Sequence, residues 1–238
     1  MTLTRGNWKI NEIIKHLKIM TEFITNFGTT AELAAFSATT GFGRPHVSLT
    51  EDDSKVHYFE DPYKGHQYVD LGLPSGTKWA TMNVGASSET DYGNYYQYGK
   101  GAAQYAATSG DGNYSGTEDP LAASADTAVQ VWGGSWHMPT RKQMQELIDN
   151  TTYQWVTNYK GSGKNGGTFT ATNGAVLFFP AAGYLFNGSK YGVVNSGGYW
   201  GSSPDGSSGA CDLSFDDVNK GMLNSGREYG YSVRPVVG

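Results

Sequence analysis

The stretch Trp132-Gly-Gly-Ser-Trp-His-Met-Pro-Thr140 leads directly into residues 141–150, RKQMQELIDN, which carry the clearest helix start in the second half of the chain. Thr140 is placed to cap this helix, and Gln143 stands where its side chain reaches back to complete a capping box. Apolar residues recur at helical spacing and predict one buried stripe, formed by Met144, Leu147 and Ile148. Asn150 closes the predicted helix.

The sequence around this helix predicts strands. From Tyr63 onward it is rich in Gly, Tyr and Trp, a composition that indicates short strands joined by turns. Strands are predicted at 168–172, 175–179, 210–215 and 231–236. Residues 100–128 are mainly Ala, Ser, Thr, Gly and Asp without periodicity, which predicts a long surface insertion. Residues 63–238 are therefore expected to form one loop-rich α+β domain.

The first 62 residues predict a separate segment. Apolar residues alternate spacings of three and four from Ile10 to Phe27, which predicts a helix that stops at Gly28. Such a helix either packs on its own domain or forms a short oligomerisation helix, most simply a trimer. Residues 29–45 read as a linker. Residues 46–50 and 55–59 flank an acidic turn and predict a hairpin.

Composition narrows the function classes. The chain has 238 residues and a net charge of −5, which argues against a nucleic-acid-binding surface. Its single cysteine, Cys211, excludes an internal disulfide and a cysteine-rich zinc site. No apolar run approaches the roughly 20 residues of a membrane span. Residues 1–26 lack the apolar core and cleavage site of a secretory signal, so no signal peptide is expected.

Motifs for cofactors and catalysis are absent or stand in the wrong context. Residues 161–166, GSGKNG, match G-x-G-x-x-G, but a predicted strand follows where dinucleotide binding needs a helix. The five histidines are scattered without metal-ligand spacing. No G-x-S-x-G elbow surrounds Ser202 and Ser203, and nothing singles out a pair of carboxylates. We therefore expect no catalysis, no metal and no cofactor.

Several phrases, in order along the chain, resemble a known family: YVDLGLPSGTKWA at 68–80, NVGA at 83–86, WGGSWHMPT at 132–140, PAAGY at 180–184, YWGSSP at 199–204 and REYGYSVRPV at 227–236. Together they resemble C-type-lectin-fold domains of the formylglycine-generating-enzyme type, in the form common in gut Bacteroidetes and their phages. The C-terminal part is similar to the variable proteins of diversity-generating retroelements. The resemblance covers about residues 63–238, and its motifs are specific as a set and weak singly.

The residues of these phrases are expected to form the scaffold. Large aromatic side chains can build a core around few regular elements, and the expected members are Trp79, Trp132, Trp136, Trp200, Phe178 and Phe179. Tyr184 is also assigned to the scaffold. Arg234 is expected to pair with a buried carboxylate, such as Asp70, or with backbone carbonyls.

A ligand-binding surface is expected between residues 185 and 229. In residues 212–216, Leu213 and Phe215 alternate with polar residues, as in a strand that buries one face. Met222 is expected to face inward. Exposed apolar residues in glycine-rich loops, including Val194, indicate a contact surface. The predicted binding residues are Leu185, Phe186, Tyr191, Val193, Tyr199, Asp205, Ser208, Cys211, Asp212, Ser214, Asp216, Gly221, Leu223, Ser225 and Tyr229.

The retroelement resemblance implies a codon rule. Such elements randomise template adenines, and AAC codons changed in this way cannot encode Lys, Gln, Glu, Met or Trp. The predicted binding residues are all of reachable types. Lys190, Lys220 and Glu228 are not, and are assigned to the scaffold. Ordinary loops also favour Gly, Ser, Asn and Asp, so the agreement is a consistency check.

Three functions follow from these observations. The first is a non-catalytic display protein that binds a protein or glycan receptor on a bacterial cell, as a phage tail protein on the virion or as a surface adhesin. The second is an invariant lectin or adhesin that stacks sugars on Tyr191, Tyr199 or Tyr229. The third, an oxidase of the formylglycine-generating type, resembles copper-thiolate chemistry on paired cysteines and is nearly excluded by the single Cys211.

Overall fold

The computed structural model describes residues 46–49, 56–59, 61–102 and 114–238, and for the first two ranges it gives the backbone. The chain divides into two compact units, residues 1–65 and 66–238. In the first unit, β1 (His46–Leu49) and β2 (Val56–Phe59) pair antiparallel as the predicted hairpin. The predicted N-terminal helix and linker lie outside the described residues.

The second unit contains short antiparallel strands in several sheets and, within its described residues, little helix. One sheet has the order β15 (Val236–Val237), β4 (Lys78–Ala80), β3 (Tyr68–Asp70). A second has the order β6 (Thr151–Val156), β7 (Gly166–Ala171), β8 (Val176–Pro180). This architecture is the loop-rich α+β class that the sequence predicts.

Two further sheets carry the C-terminal third of the chain. The sheet of β11 (Ser196–Asp205), β12 (Gly209–Asp216) and β13 (Lys220–Gly226) is a meander with β12 at its centre. The other sheet has the order β10 (Ser189–Tyr191), β9 (Tyr184–Phe186), β14 (Gly230–Tyr231), β5 (Tyr96–Gln97).

Helices flank the Trp132–Thr140 stretch. Helix α2 (Arg141–Asn150) begins after Thr140 with the predicted capping box, and it buries Met144 and Leu147. Ile148 is partly buried against the same core. The prediction of a surface insertion over 100–128 is wrong at its C-terminal end, where helix α1 (Thr127–Val131) begins. The N-cap of this helix, Asp126, is buried and also accepts a hydrogen bond from the Met138 N–H at 2.8 Å. Residues 103–113 of that insertion lie outside the description.

The main core lies between α2 and the sheets. Its buried aromatic rings contact one another edge to face, with Phe179 5.8 Å from Trp79 and 4.9 Å from Tyr199. Leu213 and Phe215 point into this core from β12 as predicted, and Met222 packs against it. Of the expected aromatic scaffold, Trp79, Trp136, Trp200, Phe178 and Phe179 are buried, whereas Trp132 is half-buried.

The predicted strand at 231–236 is broken into β14 and β15. Pro235 has no N–H for a sheet ladder, and the carbonyls of Val233 and Pro235 accept from Val84 and Ala80 instead. Arg234 is fully buried between the two strands. It donates to the Asn83 side chain at 2.7 Å and to the Ala80 and Thr81 carbonyls at 3.1 Å. Asp70 is exposed and is not its partner, so the carbonyl alternative is the correct one.

A second buried arginine, Arg227, holds two loops by their backbone. Its guanidinium donates to the carbonyl oxygens of Gly206, in the turn between β11 and β12, and Gly209, the first residue of β12, at 2.8 and 2.9 Å. It also donates to the carbonyl oxygens of Tyr114 and Gly116 at 2.7 and 2.8 Å. Four main-chain contacts thus fix both loops against one side chain.

Candidate binding surface

Four partly exposed aromatic rings lie together at the edge of the β10-β9-β14-β5 sheet. We call these residues, Tyr184, Phe186, Tyr191 and Tyr229, the aromatic patch. Tyr184 stacks on Tyr191 with ring centroids 5.3 Å apart, and Phe186 stacks on Tyr229 at 4.7 Å. Tyr184 meets Tyr229 edge to face at 5.5 Å and joins the two pairs. Tyr191 is 44% exposed, and the other three rings are half-buried.

The β9–β10 hairpin positions the patch through the alternation of a strand. Tyr184 and Phe186 point to the partly exposed side of β9, and Tyr191 lies opposite Tyr184 on β10. Leu185 between them points the other way and is 2% exposed, packed with Tyr95. The prediction that Leu185 lies on the binding surface is therefore wrong, because the pleat turns its side chain inward.

The hairpin turn has the residues that its geometry requires. Asn187 and Gly188 both have positive φ, 47° and 74°. Two successive residues in this region form the tight turn whose twist matches that of the strands, and Asn and Gly are its preferred residues. The turn therefore fixes the register that brings Tyr184 and Tyr191 together.

Residues 191–196 run from the last residue of β10 to the first of β11 and form a loop whose backbone is fixed by hydrogen bonds. The Val194 N–H donates to the Ala181 carbonyl at 2.9 Å, and the Asn165 side chain donates to the Val194 carbonyl at 3.1 Å. The Ser196 N–H donates to the Gly192 carbonyl at 2.8 Å. The loop also packs closely on Gly183, where an added Cβ would collide with the backbone of residues 191–193.

Val194 occupies an unusual position in this loop. Its φ is +67°, and it is the one β-branched residue with positive φ in the described part of the chain. Its side chain is 43% exposed, whereas the predicted contact residue Val193 is half-buried. A β-branched residue in the left-handed region is a genuine conformational outlier.

The β11–β12–β13 sheet borders the patch through Tyr231. Gly198, Ser214 and Gly221 lie side by side across its three strands, and the next row contains Trp200, Asp212 and Leu223. Tyr231 covers this face, with its ring 4.6 Å from Trp200 and its hydroxyl 3.1 Å from that of Ser225. Tyr231 also contacts Tyr184 and Tyr229, at 5.9 and 6.1 Å.

The residues predicted for binding on this face differ in exposure. Leu223 is 55% exposed, as predicted, while Ser214, Gly221 and Ser225 are half-buried. Asp212 points to the predicted face but is buried, so the prediction that it is exposed is wrong. Tyr231 and Trp200 pack on the same face of the sheet as Asp212 and exclude water from it.

Asp212 is a buried acid with no closely placed hydrogen-bond donor among the described residues. Neither carboxylate oxygen accepts a hydrogen bond of normal geometry from the described residues. Burial raises the pKa of Asp212 to about 6, although the Ser225 hydroxyl and the Arg141 guanidinium both oppose the rise. Asp212 is thus ionised at neutral pH at a cost in folding free energy.

Two other predicted contact residues belong to the core. Tyr199 is fully buried, and its hydroxyl donates to the Pro180 carbonyl at 2.6 Å. Cys211 is buried on the α2 side of the sheet, where an added Cβ on Gly201 would collide with its sulfur. Burial raises the pKa of the Cys211 thiol. Both predictions are wrong, because these side chains point to the packed face of the sheet.

The remaining predicted residues are spread along the sheet. Asp216 pairs with Ser196 next to the 191–196 loop, and its carboxylate accepts from the N–H groups of Val218 and Asn219 in the β12–β13 turn. Asp205 and Ser208 are exposed but lie at the opposite end of β11. The Ser208 carbonyl accepts a hydrogen bond from the Arg227 N–H at 3.0 Å, and Gly209 pairs with Gly226. This turn therefore lies beside the segment that carries Tyr229 and far from the 191–196 loop.

The surface also includes residues that the sequence analysis missed. Tyr184, assigned to the scaffold, is half-exposed and links the two stacked pairs of the patch. The alternation of residues 184–186 around an Asn-Gly turn is a sequence signal for its outward direction. The conformation of Val194 has no such signal.

The described residues show no metal centre and no membrane-spanning helix. No group of three or more His, Cys, Asp or Glu side chains among them could hold a metal ion. None of the helices they form has the length and apolarity to cross a bilayer.

The comparisons with known proteins give no relative for this chain. No family model matches it, and no curated protein or solved structure does so.

Proposed function

We propose that this chain is a non-catalytic ligand-binding display protein and that the aromatic patch and the 191–196 loop are its contact surface. The patch is the observation that carries the proposal. Four partly exposed rings touch one another on the β9–β10 hairpin and in the turn before β14, and exposed apolar clusters of this kind mark interaction sites. Tyrosine supplies a large, rigid contact area at a low entropy cost.

The scaffold beneath the patch favours binding. The Tyr95 hydroxyl donates to the Ala182 carbonyl at 2.6 Å, and the Trp200 indole donates to the Tyr96 carbonyl at 2.8 Å. These buried bonds tie the sheet of the patch to the neighbouring strands. A surface that is already ordered loses less conformational freedom when it binds.

The same proposal includes the fold family of the second unit and the origin of variation in its surface. We assign the second unit to the C-type-lectin-like fold and its C-terminal surface to diversification by a retroelement, on the sequence resemblance. Lys190 and Lys220, which the codon rule excludes from variation, place their ammonium groups 5.0 and 5.4 Å from the rings of Tyr95 and Tyr153. The target is a protein or glycan receptor on a bacterial cell, met by a phage tail or a surface adhesin. A trimer through the N-terminal helix would add avidity.

The competing functions have less support. An oxidase of the formylglycine-generating type needs paired thiols, whereas Cys211 is the single cysteine and is buried. An invariant lectin would stack sugars on exposed tyrosines. Tyr199 is buried and cannot do so, which leaves Tyr191 and Tyr229.

Sequencing the gene and its flanking DNA in many sister isolates tests the diversification. We expect a near-copy of the segment encoding residues 185–238, differing from the gene only where the copy has adenine. We expect the differing codons to include those of Tyr191 and Val194. An invariant segment without such a copy would exclude a diversified surface and leave a fixed lectin or adhesin.

Binding by the full chain tests the surface itself. We expect the fluorescently labelled chain to stain some strains of a bacterial panel in flow cytometry, and Tyr191→Ala to reduce the staining at least about tenfold, the effect of roughly 1.4 kcal/mol. Tyr68→Ala is the control, since Tyr68 is a half-buried tyrosine on β3, in another sheet from the patch. Equal staining by parent and Tyr191→Ala would contradict the assignment of the patch.

A further inference from the structure

The backbone of Val194 is strained in a way that its surroundings do not relieve. For an L-residue the left-handed conformation places Cβ against the following carbonyl, and β-branching worsens the contact. Asn187, in the turn just before, also has positive φ, and asparagine tolerates it. The fold therefore requires a left-handed residue at position 194 but does not require valine.

Packing does not account for the valine either. Its side chain is 43% exposed, and the loop is held through the Val194 backbone N–H and carbonyl. Any residue except proline supplies the same two groups. Asparagine or glycine at this position would keep both hydrogen bonds and reduce the strain.

We infer that Val194 is a specificity-determining residue that contacts an apolar side chain of a protein partner. This inference rests on the proposed function and names the partner class for the same surface. Residues held in sparsely populated backbone conformations cluster at sites where function requires them. Here the side chain that introduces the strain is also 43% exposed, three positions after exposed Tyr191 in the same loop.

The chemistry of the loop favours a protein over a glycan. Residues 191–196, YGVVNS, carry no charged side chain. Sugar rings stack their C–H faces on flat aromatic rings, but a branched aliphatic group offers no such face. A desolvated contact between valine and another apolar side chain gains free energy from the area that both bury.

Three variants of the full chain test the inference, with the most strongly stained strain as the probe. Val194→Asn relieves strain, so we expect its Tm to rise by about 2–5 °C while staining falls about tenfold. Val194→Thr keeps the β-branch, so its Tm should stay within about 1 °C of the parent, but its hydroxyl should weaken staining similarly. Val176→Thr, at an equally exposed valine (42%) on β8, is the control and should change neither quantity.

Treatment of the cells identifies the partner class. Protease treatment of the probe strain should abolish staining, and periodate oxidation of its glycans should leave it intact. Loss of staining with periodate alone would overturn the protein assignment. Full staining by Val194→Asn, or a fall in its Tm, would overturn the role of Val194 even if Tyr191→Ala loses staining and the proposed function stands. A parent chain that stains no strain would overturn the proposed function and this inference with it.

Discussion

The β9–β10 hairpin and the β11–β12–β13 sheet differ in how much their outward-facing side chains are exposed to solvent. On the hairpin, Tyr184 and Phe186 alternate with buried Leu185, and their rings remain partly exposed. On β12, Asp212 alternates with buried Leu213 in the same way, yet it too is buried. The difference is that Tyr231 and Trp200 cover the second face of the central strand, whereas the hairpin lies at a sheet edge. Alternation sets the direction of a side chain, and the tertiary neighbours decide whether it reaches water.

Two leucines give the sharpest test of this difference. Leu185 is 2% exposed and Leu223 is 55% exposed, although both belong to the predicted binding surface. We expect Leu185→Ala to lower the free energy of unfolding by about 2–5 kcal/mol and Leu223→Ala to change it by no more than about 0.5 kcal/mol. Urea denaturation followed by tryptophan fluorescence measures both. Similar losses in the two variants would remove the distinction between covered and open strand faces.

Asp212 offers a second test, through pH. Its pKa is raised from the ordinary 3.8 to about 6, so the folded protein retains a proton that the unfolded chain releases. The resulting stabilisation is complete below pH 3.8 and is lost as the pH rises through about 6. Two pKa units correspond to about 3 kcal/mol.

We therefore expect Asp212→Asn to be more stable than the parent by about 1–3 kcal/mol at pH 7.5, and the advantage to shrink strongly at pH 4.5. Urea unfolding at the two pH values gives the comparison. Asp217→Asn is the control, because Asp217 is exposed in the adjacent turn. A stability difference between Asp212→Asn and the parent that is the same at both pH values would show that burial does not raise the pKa of this carboxyl group.

The smallest expected change in stability concerns Asn187, which shares positive φ with Val194. Asn187→Val would reproduce at the turn the strain that Val194 already carries, so we expect a loss of about 1–2 kcal/mol. Asn187→Gly should stay close to the parent, because glycine accepts positive φ. Thermal unfolding gives the melting temperatures of the two variants. Equal melting temperatures would mean that the turn adopts another backbone conformation without loss of stability.

The features that the sequence predicted correctly are those that depend on residues close together along the chain. Thr140, Gln143 and Met144 follow capping and helical spacing, and Leu213 and Phe215 follow strand alternation, so their placement was predicted correctly. The loop-rich α+β class followed from the same patterns. The burial of Asp212 depends on Tyr231, 19 positions away, and the break in the 231–236 strand depends on pairing with Ala80 and Val84. Such long-range packing leaves no trace in a local pattern.

The candidate surface was predicted in part for the same reason. Phe186, Tyr191 and Tyr229 are partly exposed in or next to turns and were found. Tyr199 faces the core because it pairs with Leu213 of the neighbouring strand, a partner that no local pattern identifies. Cys211 shares the inward face of Leu213 and Phe215, so strand alternation applied to all of β12 places it correctly. Asp205 and Ser208 are exposed, and the hydrogen bond from the Arg227 N–H to the Ser208 carbonyl brings their turn close to the segment that carries Tyr229.

The Arg227 clamp has a consequence for how this molecule can evolve. It holds its two loops through carbonyl oxygens, a group that every amino acid carries. Substitutions at exposed Ser207, Ser208 or Asp205 leave all four bonds in place. The architecture thus separates the shape of these loops from their chemical identity, so their side chains can change while the backbone keeps its course.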